Sequence, residues 1–85
     1  MGKYQFQFSK QAQKDIAQLT EKQKAKLRAI LSDVLSENPY LGKPLKGNLE
    51  GLRSYRLTLK DRVLYEICEP ENTILIIRAK SHYGE

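Results

Sequence analysis

An α+β fold, with a small antiparallel-rich sheet packed against an N-terminal helical hairpin in the order β-α-α-β-β-β, is predicted by three features of the 85-residue chain. Tyr4, Phe6 and Phe8 alternate with Gln5 and Gln7, the period-two pattern of a half-buried strand. Two segments of helical periodicity come next, and three strand-like runs then follow one another with no helix between them. No repeat, low-complexity tract or linker breaks this order, so residues 1–85 are read as one domain. The helix pair is expected to cover one face of the sheet and leave the other free.

Each element carries its own local signal. Ser9 is placed to cap a short helix whose apolar positions Ala12, Ile16 and Leu19 keep the i, i+4, i+7 spacing. Thr20-Glu21-Lys22-Gln23 has the form of a capping box, in which the Thr hydroxyl bonds forward and the Gln side chain reaches back. Leu27, Ile30, Leu31, Val34 and Leu35 then make a continuous helical stripe. Lys22, Lys24, Lys26 and Arg28 fall mostly outside it and read as a solvated face. Pro39 biases Asn38 away from helical geometry and should end the helix. Residues 39–51, with two Pro and three Gly, read as a loop or an irregular lead into the sheet. The strands are expected at 54–59, 62–67 and 73–80, with Pro70-Glu71-Asn72 as the turn between the last two.

The register of the first hairpin decides which side chains share a face, because a one-residue slip inverts the whole set. A two-residue turn at Lys60-Asp61 would leave both faces mixed. A three-residue loop, Leu59-Lys60-Asp61, pairs Thr58 with Arg62 and Arg56 with Leu64. It collects Tyr55, Leu57, Val63, Tyr65 and Ile67 on one apolar face and sets Arg56, Thr58 and Arg62 on the other, beside a basic loop carrying Lys43, Lys46 and Arg53. Residues 43–62 hold six positive side chains and two negative ones, Glu50 and Asp61, so most of the chain's formal charge of +5 lies there. The alternative for Arg56 and Arg62 is ordinary cross-strand pairing with Glu66 or Asp61.

Composition narrows the chemistry. A chain this short buries roughly 60–65% of its unfolded surface, which leaves no room for a buried cofactor beside the core. None is expected. The lone Cys68 excludes an internal disulfide, and Cys68 with the lone His82 cannot close a zinc site, so no metal is expected. No run reaches the length of a membrane span, and Met1-Gly2-Lys3-Tyr4 leads into no apolar segment of signal-peptide type, so a cytoplasmic location is expected. A basic surface concentrates polyanions around it.

The last strand runs into Arg78-Ala79-Lys80-Ser81-His82-Tyr83, in which Arg78, Lys80 and His82 share parity. Metal-free RNA cleavage needs a base for the 2′-hydroxyl, cations for the crowded phosphorane and an acid for the leaving 5′-oxygen. Arginines suit the second role through their bidentate fork. Imidazole suits the third, being able to exchange a proton near neutral pH, which makes His82 the candidate acid. Tyr83 could stack on a base or assist proton transfer. Lys43, Arg53, Lys60, Arg78 and Lys80 are candidates for contacts along the RNA.

The segment Lys43-Pro44-Leu45-Lys46-Gly47-Asn48-Leu49, with Tyr55-Arg56-Leu57 and Asp61-Arg62-Val63-Leu64-Tyr65-Glu66-Ile67, resembles the core of RelE/ParE toxins. So does Phe8-Ser9-Lys10-Gln11-Ala12 with Asp15-Ile16 and Leu19, and the closing His82-Tyr83 pair resembles the YoeB/Txe branch. The resemblance spans nearly the whole chain. It implies a RelE-like sheet backed by two helices and a cognate antitoxin that wraps the toxin, with a heterotetramer or larger complex as one outcome. It also implies ribosome-dependent cleavage of mRNA. Arg62 matches the arginine that contacts the scissile phosphate, His82 and Tyr83 match the terminal acid and its aromatic neighbour, and Arg56 falls near a basic strand residue of RelE. Where YoeB relatives carry a glutamate as general base, this chain has Lys43, so Lys46, Lys43 and Glu50 all stand as candidates for the base. The alternatives to an mRNA endoribonuclease are a ParE-type toxin that poisons DNA gyrase and a non-catalytic nucleic-acid-binding relative.

Overall fold

The computed structural model describes residues 3–79. Strand β1 (Gln5–Phe8) leads into helix α1 (Lys10–Ala17), and helix α2 (Glu21–Ala29) continues without a break into a wider π-helical turn, Ile30–Leu35. Strands β2 (Lys43–Pro44), β3 (Arg53–Arg56), β4 (Arg62–Cys68) and β5 (Thr73–Ala79) complete one five-stranded sheet in the order β1-β5-β4-β3-β2. The expected α+β class is what forms. β1 runs parallel to β5 and every other pairing is antiparallel, so the sheet is mixed.

Local capping sets the helix starts. The Ser9 hydroxyl accepts from the Ala12 N–H at 3.0 Å and donates to the Ile77 carbonyl, which joins the start of α1 to β5. At α2 both halves of the Thr20/Gln23 capping box are made. The π turn shows in the Ser36 N–H bond to the Leu31 carbonyl, five residues back, and the helix ends before Asn38, whose φ of −149° is not helical. Leu27, Ile30, Leu31 and Leu35 are buried beneath the helices against Val63, Tyr65, Ile74 and Ile76 from one face of the sheet.

The hairpin differs from expectation. Arg56 pairs with Arg62, Tyr55 with Val63 and Ser54 with Leu64, so β3 stops at Arg56 and five residues, 57–61, form the loop. The expected pairs Thr58–Arg62 and Arg56–Leu64 are shifted by two residues, which preserves parity and therefore the faces. The Thr58 hydroxyl is the cause: it accepts from the Lys60 and Asp61 N–H groups, while the Asp61 carbonyl accepts from Leu57 and Thr58. These local bonds displace the ladder. Leu57 lies in the loop yet is fully buried.

Two long-range contacts fix the rest. The Tyr65 hydroxyl is buried, donates to the Pro39 carbonyl at 2.6 Å and accepts from the Gly42 N–H at 3.0 Å, pinning the 39–42 turn to the sheet. A Cβ on Gly42 would overlap that hydroxyl and stand 2.8 Å from the Tyr65 Cζ. From helix α1, buried Asp15 accepts from Arg78 Nε at 2.8 Å and from the Ala79 N–H at 3.2 Å. Burial pushes the Asp15 pKa up, but the bonds from Arg78, Ala79 and Gln11 outweigh it and hold the carboxyl below its ordinary value of 3.8.

Tyr65→Phe keeps the ring and strands the Gly42 N–H and Pro39 carbonyl; urea unfolding is expected to show a loss of about 2 kcal/mol. Asp15 favours folding when ionised, since its folded pKa is lowered. Its contribution is complete above the unfolded value near pH 4 and is lost as pH falls through the folded value. Asp15→Asn is therefore expected to cost about 2 kcal/mol at pH 7, the loss of charged hydrogen bonds to a partly exposed Arg78, and to flatten the decline in stability below pH 4, both read from denaturation curves across pH.

Candidate functional site

The face of the sheet turned away from the helices carries Ser54, Arg56, Arg62 and Leu64 by strand alternation. Arg56 and Arg62 are Cα partners across the ladder, about 4.5–5.5 Å apart at the backbone. The pairing sets two arginines on one rung of this face, a concentration of positive charge that suits an anion. The face is not wholly free, because Ser54 and Leu64 are both buried on it.

β2 pairs only with Arg53 and Ser54, so β3 is an open edge at Tyr55 and Arg56. A groove of about 500 Å³ crosses that edge. Lys43, Arg56 and Arg62 line its polar side with Ser54 beneath them, and Ile30, Leu41 and Tyr55 line its apolar side. Lys26 reaches it from α2, so two lysines and two arginines line it, with no carboxylate among the described residues. A smaller recess of about 220 Å³ adjoins it, sharing Lys43, Ser54 and Arg62 and adding Leu45 and Leu49 from the 45–52 segment. Such a concave positive surface draws polyanions to it.

The residues predicted for the site are distributed unevenly. Lys43, Arg56 and Arg62 come together as expected. Arg53 does not join them: it lies on the helix side, where it donates to the carbonyls of Tyr40 and Gly42 and stacks 5.1 Å from the centre of the Tyr40 ring. Its charge holds the turn that precedes β2. Arg78 is bound to Asp15. Lys46 and Glu50 flank an exposed 3₁₀ turn (Gly47–Leu49), Lys60 sits at the exposed hairpin tip, and none of the three lines either recess. Thr58 is engaged in its own turn. Lys80, His82 and Tyr83 lie outside the described residues.

Lys26, Leu41 and Ile30 also line the groove, although the sequence pattern reads Lys26 mainly as part of a solvated helix face and Ile30 as part of the apolar stripe. A lysine outside a helical stripe looks the same whether it faces solvent or a groove, and Leu41 sits in a segment with no periodicity to phase it. Cys68 offers no competing chemistry: burial, with Glu66 and Glu71 nearby, pushes its thiol pKa up and keeps it protonated. Glu69 accepts from the Tyr4 and Tyr40 hydroxyls, and those bonds raise both phenol pKa values, that of Tyr4 to about 12. This cluster ties the 39–41 turn to Glu69, just after β4, and through it to Tyr4, just ahead of β1. Among the described residues no group of three or more His, Cys, Asp or Glu is placed to hold a metal ion, and no helix is long and apolar enough to cross a membrane.

The family model described as the ParE-like toxin of type II bacterial toxin–antitoxin systems matches residues 6–84. Among solved structures, the chain is similar to one in the toxin–antitoxin complex RelBE2 from Mycobacterium tuberculosis, with a TM-score of 0.83 and 30% identity over 94% of this chain and 99% of that one. It is similar to one in the YoeB–YefM complex from Staphylococcus aureus, with a TM-score of 0.79 and 30% identity over 94% and 98% of the two chains. A chain of the RelBE toxin–antitoxin complex from E. coli shares the fold, with a TM-score of 0.78 and 22% identity over 94% of this chain and 98% of that one. No curated protein sequence matches. With the family model covering nearly the whole described fold, and with solved toxin–antitoxin chains matching it end to end, the chain belongs to the RelE/ParE-like toxin superfamily of type II toxin–antitoxin systems.

Proposed function

We propose that the protein is a cytoplasmic endoribonuclease that cuts mRNA on the ribosome by attack of the 2′-hydroxyl on the adjacent phosphate. The observation that carries this reading is the groove at the β3 edge, where Arg56 and Arg62 stand opposite each other with Lys43 beside them. In the reaction the base takes the 2′-hydroxyl proton, the 2′-oxygen bonds to phosphorus, and the 5′-oxygen leaves with a proton from the acid. A cyclic phosphate and a 5′-hydroxyl result. Arg56 and Arg62 neutralise the charge that builds on the phosphorane oxygens, where fixed cations act most strongly. No bound metal is needed for these steps.

Of the three candidates for the base, Lys43 is the one whose side chain lines both recesses, and as base it would take the proton through the lone pair of an unprotonated amine, in preference to Lys46 and Glu50. His82 is assigned the acid and Tyr83 its aromatic neighbour. His82 is the third residue after Ala79 in the sequence, and the Cα partner of Ala79 is Val63, next to Arg62. The partner is a cognate antitoxin, in keeping with the complexes in which related chains were solved, one of them the heterotetrameric YoeB–YefM complex of S. aureus. Its binding would silence the groove by covering it or by displacing residues that line it.

Induction in cells with primer extension across translated genes tests the reading. Wild-type protein is expected to create new RNA 5′ ends within codons, and Arg62→Ala and His82→Ala to reduce them at least about a hundredfold. Lys43→Ala should lose far more cleavage than Lys46→Ala or Glu50→Ala. Growth arrest without new ends, unchanged in His82→Ala, would refute ribonuclease action and favour gyrase poisoning.

A further inference from the structure

The groove has a second half that the cleavage chemistry does not use. Its polar side can bind phosphate, whereas Leu41, Ile30 and Tyr55 form an apolar wall facing it across the open edge of β3. Leu41 is 57% exposed, an unusual position for a leucine in a turn that is otherwise pinned by the buried Tyr65 hydroxyl. The backbone beneath it is held, and Gly42 next to it admits no side chain. Lys26 stands at this apolar side, on α2, apart from the three cations of the strands. A wall of this kind beside phosphate-binding cations matches one ligand shape: a nucleotide, with a flat apolar base attached to an anionic backbone.

We propose that Leu41 and Tyr55 form a base-stacking subsite for a nucleotide flanking the phosphate held by Arg56 and Arg62, and that Lys26 binds the next phosphate along the strand. The inference rests on the reading that the groove takes RNA. It makes Leu41 and Lys26 positioning residues, fixing which phosphate is presented to the strand arginines. The occupant is single-stranded, because a base within a duplex cannot turn its face to a protein wall. Recognition is by stacking, so tolerance of sequence at this nucleotide goes with a strict need for a base.

Fluorescence anisotropy with two labelled probes tests this: a single-stranded RNA hexamer and an abasic ribose-phosphate oligomer of the same length. Wild-type protein is expected to favour the base-bearing probe about tenfold. Leu41→Ala, at an exposed position where folding is not at stake, should remove that preference while leaving the abasic affinity unchanged. Lys26→Ala should weaken both probes equally, by about three- to tenfold, and reduce the salt dependence by about 0.7 in log–log slope. Equal affinity for both probes, no saturable binding of either, or equal losses for both in Leu41→Ala would each overturn the subsite. The cleavage assay separates this from the function itself: intact cleavage with no probe preference refutes the subsite alone, and probe preference without RNA cleavage in cells refutes the nuclease reading alone.

Discussion

The hydroxyl of Tyr65 is the contact on which the working side of this molecule depends. It is buried in the sheet, with the Pro39 carbonyl and the Gly42 N–H as its two partners. A phenol away from water needs such partners, and a turn rich in Pro and Gly needs something to hold it. Each supplies the other's requirement. The 39–42 turn is thereby fixed, Lys43 is delivered to the ladder opposite Ser54, and Leu41 is set over the open edge of β3. Arg53 reinforces the same turn from its other side through the Tyr40 and Gly42 carbonyls. One arginine of the basic cluster is thus structural, while Arg56 and Arg62 line the groove.

The opposed Arg56 and Arg62 show what the scaffold tolerates. They share one rung of a ladder whose neighbouring residues, Val63, Leu64 and Tyr65, are all buried, so an apolar layer holds the two side chains in place.

Features whose causes are local were legible in the sequence. The Ser9 cap, the Thr20/Gln23 box, the end of the helix before Pro39 and the separation of Tyr55 and Val63 from Arg56 and Arg62 all follow from neighbours in the chain. The hairpin register did not, because the Thr58 hydroxyl turns the backbone aside three residues before hydrophobic alternation ends. Parity survived the error, so the grouping of Arg56 with Arg62 was right while their partners were wrong. Arg53 was placed with the wrong neighbours, since an irregular loop gives no phase to the residue that follows it. The tie between Asp15 and Arg78 joins residues far apart in sequence, and no short pattern announces it. Lys26 was invisible for a different reason: its role is set by a turn on another element.

The order of strands has a consequence for how the molecule comes into being. β1 is made first, yet its partner in the sheet is β5, the last described strand, which also supplies the backbone groups met by Ser9 and Asp15. A nascent chain that has reached only Cys68 therefore holds β3 and β4 but has nothing against which to lay β1 or the end of α1. Contacts of such long sequence separation close late and slowly. The protein completes its sheet only once synthesis has delivered β5, and until then its first strand is exposed to any other chain able to pair with it.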